Sequence, residues 1–149
     1  MKRLIFITAI LLISIPAICD AQCDSKKNID SCEHRFPKGY IYSKSRVVEI
    51  NNKVDLKNSI YSVNLSKGTS YVITVYESAK NKNEGKMVVN LLDNKDRLMM
   101  SSFNFETKKY YDKIIFNCNA TGKYYLGYLF NGGESRGCGV SAFGFKPKK

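Results

Sequence analysis

The sequence predicts an all-β chain, an antiparallel β-sandwich with a jelly-roll-like layout and a polar N-terminal arm. Three observations lead there. Short segments rich in β-branched and aromatic residues recur between turn residues along 45–146. Several of them alternate apolar and polar residues with the period of a half-buried strand. Beyond residue 21, no segment carries an apolar helical stripe of helix length.

Residues 22–44 are polar and show no sustained period; the turn residues Pro37 and Gly39 lead to Tyr40-Ile41-Tyr42, which fits a short edge strand. This is the arm. Residues 46–50 (RVVEI) form the first strand of the main domain. In 60–65 (IYSVNL), Tyr61, Val63 and Leu65 share one face and Ser62 and Asn64 the other. The turn 66–69 (SKGT) and the run 71–76 (YVITVY) follow, which suggests a hairpin. The polar stretch 77–86 reads as an exposed crossover. Residues 87–92 (MVVNLL) and 98–103 (LMMSSF) flank the turn sequence Asp93-Asn94-Lys95-Asp96 and are expected to pair. Strands are expected over 110–118, 123–130 and 137–145, closing a sheet, and 147–149 is a basic tail.

The N-terminus has a different character. Lys2 and Arg3 precede the apolar run 4–15 (LIFITAILLISI), and Pro16 and small residues follow. That layout predicts a secretory signal peptide over 1–21, its apolar core short for a membrane span. The mature chain is then secreted or periplasmic, without a membrane span; a lipid anchor on Cys19 or Cys23 is the lesser alternative. Cleavage after Ala21 leaves Cys23, Cys32, Cys118 and Cys138 in an oxidising compartment. Four cysteines allow three disulfide connectivities, and spacing does not choose among them. Local pairing, Cys23 with Cys32 and Cys118 with Cys138, is the expectation. No C-x-x-C pair supports zinc.

The formal charge is +11, and removing Lys2, Arg3 and Asp20 with the signal leaves +10. Such a chain is attracted to anionic surfaces. Its lysines are scattered, so no nucleic-acid patch is marked out. The lone His34 lies in the arm, and no G-x-S-x-G, H-E-x-x-H or phosphate-cradling loop is present. Neither a catalytic residue nor a cofactor is therefore expected. Asp93 and Asp96 could seed a calcium site, but Lys95 and Arg97 interrupt the run and turn chemistry explains the carboxylates. The sequons at Asn64 and Asn119 are read as accidental. Tyr110-Tyr111 and Tyr124-Tyr125 each send one ring inward and one outward, since successive strand residues alternate faces. Outward Tyr111 and Tyr125 beside Lys109, Lys113 and Lys123 would suit a glycan or another anionic polymer. The plainer alternative is that these rings support cross-strand pairing.

Three stretches carry a family resemblance: 61–71 (YSVNLSKGTSY), 88–93 (VVNLLD) and 121–126 (TGKYYL). Their order resembles the bacterial pre-peptidase C-terminal-like domain, a small β-sandwich of exported proteins, over about residues 47–145. The cysteines and the GCGV ending resemble small secreted proteins of Bacteroidetes-type bacteria. The resemblance implies an exported, stand-alone sandwich and does not imply protease activity. The leading reading is an exported, non-catalytic module, binding or structural, in the bacterial envelope or secreted. A carboxylate-dependent hydrolase and a secreted inhibitor or effector using the arm are the alternatives.

Overall fold

In a computed structural model, the protein is described over residues 29–32, 34–50, 59–77, 85–131 and 137–147. The signal segment 1–21, Cys19, Cys23 and the last two residues of the basic tail lie outside these. The described chain is predominantly antiparallel β-structure in several sheets, none closed into a barrel. Its strands are β1 (Ile41–Ile50), β2 (Ile60–Leu65), β3 (Ser70–Glu77), β4 (Lys86–Leu92) and β5 (Leu98–Ser101). They continue as β6 (Phe103–Asn104), β7 (Lys109–Tyr110), β8 (Lys113–Asn117), β9 (Gly122–Asn131) and β10 (Gly137–Lys146). One four-stranded sheet has the order β1-β10-β3-β8, a second β2-β9-β4-β5, and β6 and β7 form a small ribbon.

Alternation builds the main core. Val63 and Leu65 of β2, Val89 and Leu91 of β4, and Tyr124, Leu126, Tyr128 and Phe130 of β9 meet Tyr71, Ile73 and Val75 of β3 and Phe143 of β10. Inside this cluster the Tyr71 and Phe143 rings stack with centroids 5.5 Å apart. On the side where β1 and β2 form the sheet edges, the Arg46 guanidinium sits 3.5 Å from the centre of the Tyr61 ring.

The central strands β3 and β10 are buried on their second face as well. Val72, Thr74, Val140 and Ala142 have no exposed surface. The arm accounts for much of this cover: residues 29–32 make a helical turn, and Ile29, Cys32 and Phe36 pack with Val140, Ala142 and Tyr76. The Thr74 hydroxyl donates to the Cys32 carbonyl at 3.3 Å, and the Tyr40 and Ser70 hydroxyls bond at 2.8 Å. Hence YVITVY is apolar on both faces but for Thr74, whose buried hydroxyl is satisfied by the arm, as a strand covered on both faces requires.

Besides strand bounds, such as β1 beginning at Ile41 and the expected strand 110–118 breaking at 111–112, the structure departs from the sequence expectations at three places. First, 60–65 and 71–76 are not a hairpin. β2 pairs with β9 in one sheet and β3 with β10 and β8 in the other, so the turn at 66–69 carries the chain between sheets. That turn is fastened to the end of β8 by Gly68 N–H donating to Cys118 O (2.8 Å) and Cys118 N–H to Thr69 O (3.0 Å). Second, the last three long strands do not close one sheet, because β9 lies in the sheet opposite to β8 and β10.

Third, the expected disulfides Cys23–Cys32 and Cys118–Cys138 are not formed. Cys32 and Cys118 are buried thiols, and no two sulfurs among the described residues are bonded. The Cys32 thiol donates to Val140 O at 3.2 Å and the Cys118 thiol to Ala120 O at 3.1 Å. The reason is strand direction. β8 and β10 both run antiparallel to β3, which separates them. Cys118 follows the end of β8 while Cys138 stands at the start of β10, so the two lie at opposite ends of the sheet. Eight residues of β3 separate those ends, about 25 Å at strand rise, against the few ångströms a disulfide spans. Cys138 does have a partner, but not Cys118.

Candidate functional site

Beyond Ser101 the edge of the structure turns into the β6–β7 ribbon, and three tyrosines gather where it meets the two sheets. Ser102 prepares the turn: its N–H donates to Val89 O (2.9 Å) and its Oγ accepts from Val89 N–H (2.9 Å). The chain leaves β5 there while remaining tied to β4. On the return, Tyr111 N–H donates to Ser102 O and Val75 N–H to Asp112 O, both at 2.8 Å. These bonds place Tyr110, Tyr111 and Asp112 beside the end of β3.

The result is a cleft of about 230 Å³ lined by Arg35, Val75, Tyr76, Glu77, Met87, Tyr110, Tyr111 and Asp112. Arg35 arrives from the arm. Its guanidinium lies 4.9 Å from the centre of the Tyr76 ring, 3.4 Å from Val75 O and 3.9 Å from the Asp112 carboxylate. Those contacts are long for a guanidinium, whose charged hydrogen bonds are typically 2.7–2.9 Å, so most of its donors are open to a ligand. Glu77 accepts Met87 N–H on one oxygen at 2.8 Å. Lys86 and Lys109 place their ammonium groups 4.9 and 5.5 Å from the Tyr110 and Tyr111 ring centres. Phe103 backs Tyr110 at 4.6 Å between centroids, which fixes the ring from behind.

The cleft offers flat apolar rings, a fork of cationic donors and two acceptor carboxylates within one concave surface. It can stack a ring while hydrogen-bonding its polar rim. Among the described residues, no group of three or more His, Cys, Asp or Glu side chains could hold a metal ion. His34 is exposed in the arm.

Of the residues expected to form a surface, the structure brings Lys109 to Tyr111 and Lys123 to Tyr125, the latter pair at 5.7 Å. It does not join the two pairs. Tyr111 lines the cleft, whereas Tyr125 lies in β9 opposite Leu92 and Ser62, on the outer face of the other sheet. Lys113 stands opposite Thr74 in β8, one residue beyond Asp112, and does not itself line the cleft. Arg35, Tyr76, Glu77 and Asp112 were not singled out by the sequence. The dipeptides Tyr76-Glu77 and Tyr111-Asp112, where strand character gives way to polar residues, are the signal that could have marked them.

Asp93 is a turn staple. Its Oδ1 accepts the N–H groups of Lys95 (2.8 Å) and Arg97 (3.0 Å), and its Oδ2 accepts Arg97 Nε (2.7 Å) and Nη2 (2.6 Å). The Arg97 side chain, then its backbone N–H, holds the carboxyl below its ordinary value, with burial opposing. Its oxygens are thus committed to the turn rather than to calcium. Asp96, exposed and at φ 58°, completes the reversal.

Among the described residues, no helix is long and apolar enough to cross a membrane. No protein-family model matches the chain, and none of the curated proteins compared with it does so.

Proposed function

We propose that this protein is an exported, non-catalytic β-sandwich of jelly-roll-like type that binds a glycan through the tyrosine cleft. The observation that carries the reading is the convergence of Tyr76, Tyr110 and Tyr111 with Arg35, Glu77 and Asp112 around one cleft. A sugar ring has an apolar C–H face and a rim of hydroxyls that both donate and accept. Tyrosine faces match the first, and a guanidinium with carboxylates matches the second. Binding sites usually combine aromatic walls with a few placed polar groups in this way. Export follows from the residue 1–21 signal pattern, and the resemblance to exported bacterial sandwich modules agrees with it.

Tyr111→Ala tests the reading. Its ring is exposed and outside the main core, so folding should survive, as near-ultraviolet circular dichroism would verify. Retention is measured on a panel of immobilised polysaccharides, neutral and acidic. The variant is expected to lose about tenfold or more in affinity, the scale of one lost stacking contact. Equal retention by the folded variant would remove the cleft from consideration. Appearance of new reducing ends during incubation would instead identify a hydrolase, with Glu77 and Asp112 as the carboxylates to substitute.

A further inference from the structure

A second concavity lies at the other end of β4 and β8, about 20 Å from the tyrosine cleft by the strand rise. Its volume is about 240 Å³, and Asp93, Asn94, Arg97, Asn119, Thr121 and Lys123 supply its polar lining. Two turns form the walls, and both are pinned. Asp93 fastens the first through the four bonds described above. In the second, Thr121 Oγ1 accepts Lys67 N–H at 2.9 Å, and the Tyr124 hydroxyl donates to Ala120 O at 2.9 Å.

The Asp93 carboxylate is offset by Arg97, whose Nε and Nη2 it engages. Nη1 is left for an acceptor outside the turn, on a side chain 70% exposed yet held in one orientation. The described ion pairs are Arg35–Asp112 and Arg97–Asp93, so no described carboxylate neutralises Lys123. The lining therefore carries one net positive charge. Arg97 and Lys123 both line the concavity, and the Lys123 ammonium rests 5.7 Å from the Tyr125 ring centre, on a side chain flexible enough to turn toward it. A guanidinium edge and such an ammonium match a tetrahedral oxyanion, and charged donors make the stronger hydrogen bonds to it. Asn94, Asn119 and Thr121 add donors and acceptors suited to hydroxyls beside that anion.

We propose that this concavity is a separate anion site, taking a sulfate or phosphate group carried on a sugar. Arg97 and Lys123 hold the anion, and the two asparagines with Thr121 take the neighbouring hydroxyls. The site is independent of the tyrosine cleft and stands or falls without it.

The test is an amide nuclear magnetic resonance titration of the exported chain with inorganic phosphate, inorganic sulfate, glucose 6-phosphate and galactose 6-sulfate. Expected are saturable shifts at Asn94, Arg97, Gly122 and Lys123, with the esters binding more tightly than the inorganic ions. Lys123→Ala is expected to weaken binding about tenfold, the scale of one charged hydrogen bond, while Lys44→Ala on the distant β1 edge leaves it unchanged. Tyr111→Ala leaves the anion titration unchanged too. Absence of saturable shifts, or equal weakening by Lys44→Ala and Lys123→Ala, overturns the site in favour of diffuse attraction to a basic surface. Equal affinity for inorganic ions and esters overturns the sugar-borne part and makes the free anion the ligand.

Discussion

Gly144→Val is expected to destabilise the protein by about 3 kcal/mol, the upper range for overpacking a filled interior. Gly144 lies in β10, opposite Val72 of β3 and Tyr42 of β1. A Cβ there would collide with the Phe36 ring and come within 2.7 Å of Ile41 O. The ring can yield only by leaving the sheet, and the carbonyl only by distorting β1. Arg35 is the neighbour of Phe36 in the chain, so displacing the arm also withdraws the guanidinium from the tyrosine cleft. Urea denaturation reads the stability, with Gly122→Ala as the control because nothing lies within 4 Å of a Cβ at that position. A midpoint for Gly144→Val equal to that of the control would mean that the arm is not seated on β10. Adding Phe36→Ala should recover part of the loss, since it relieves the ring collision but not the one with Ile41 O.

Leu91→Ala should cost about 3–4 kcal/mol, within the range for emptying a buried leucine site. Leu91 has no exposed surface and sits in the core cluster. Leu92, one residue on, is half-buried on the opposite face of the same strand, opposite Tyr125. Leu92→Ala should cost about 1 kcal/mol, in proportion to its smaller burial. The contrast is diagnostic because a strand shifted by one residue exchanges its two faces. If Leu92→Ala proved the more damaging of the two, the register of β4 against β9 would be wrong. The cleft would go with it, because Met87 and Ser102 are placed by that register.

The strands were largely legible because burial on one face leaves a period of two. IYSVNL and KYYLGYLF became β2 and most of β9 with the expected faces inward. MVVNLL paired with the segment that follows its turn, where the Asp93 carboxylate staples the five-residue reversal through the Lys95 and Arg97 N–H groups. What the pattern could not carry was partnership between distant segments. A four-residue turn at 66–69 serves a hairpin or a passage between sheets equally well, and the choice rests on contacts with Cys118 far along the chain. The cysteines were misread for a related reason, since sequence spacing does not reveal that β3 separates β8 from β10. The arm offered a clue in Ile29 and Cys32, one helical turn apart, with the apolar Phe36 following. They cover the outer side of β10. The cleft was half visible, with Tyr111 and Lys109 readable as an outward aromatic and cation. Arg35 was not, because only the docking of the arm carries it to the end of β3.

The most direct test of glycan recognition at the tyrosine cleft is to map the binding surface itself. Amide and tyrosine-ring resonances would be followed while a polysaccharide-derived oligosaccharide retained by the wild-type protein is added. The account predicts saturable shifts at Arg35, Tyr76, Glu77 and Tyr110 to Asp112, with Tyr125 and Lys123 unmoved. Saturable shifts confined to the outer face around Tyr125, with the cleft silent, would contradict it.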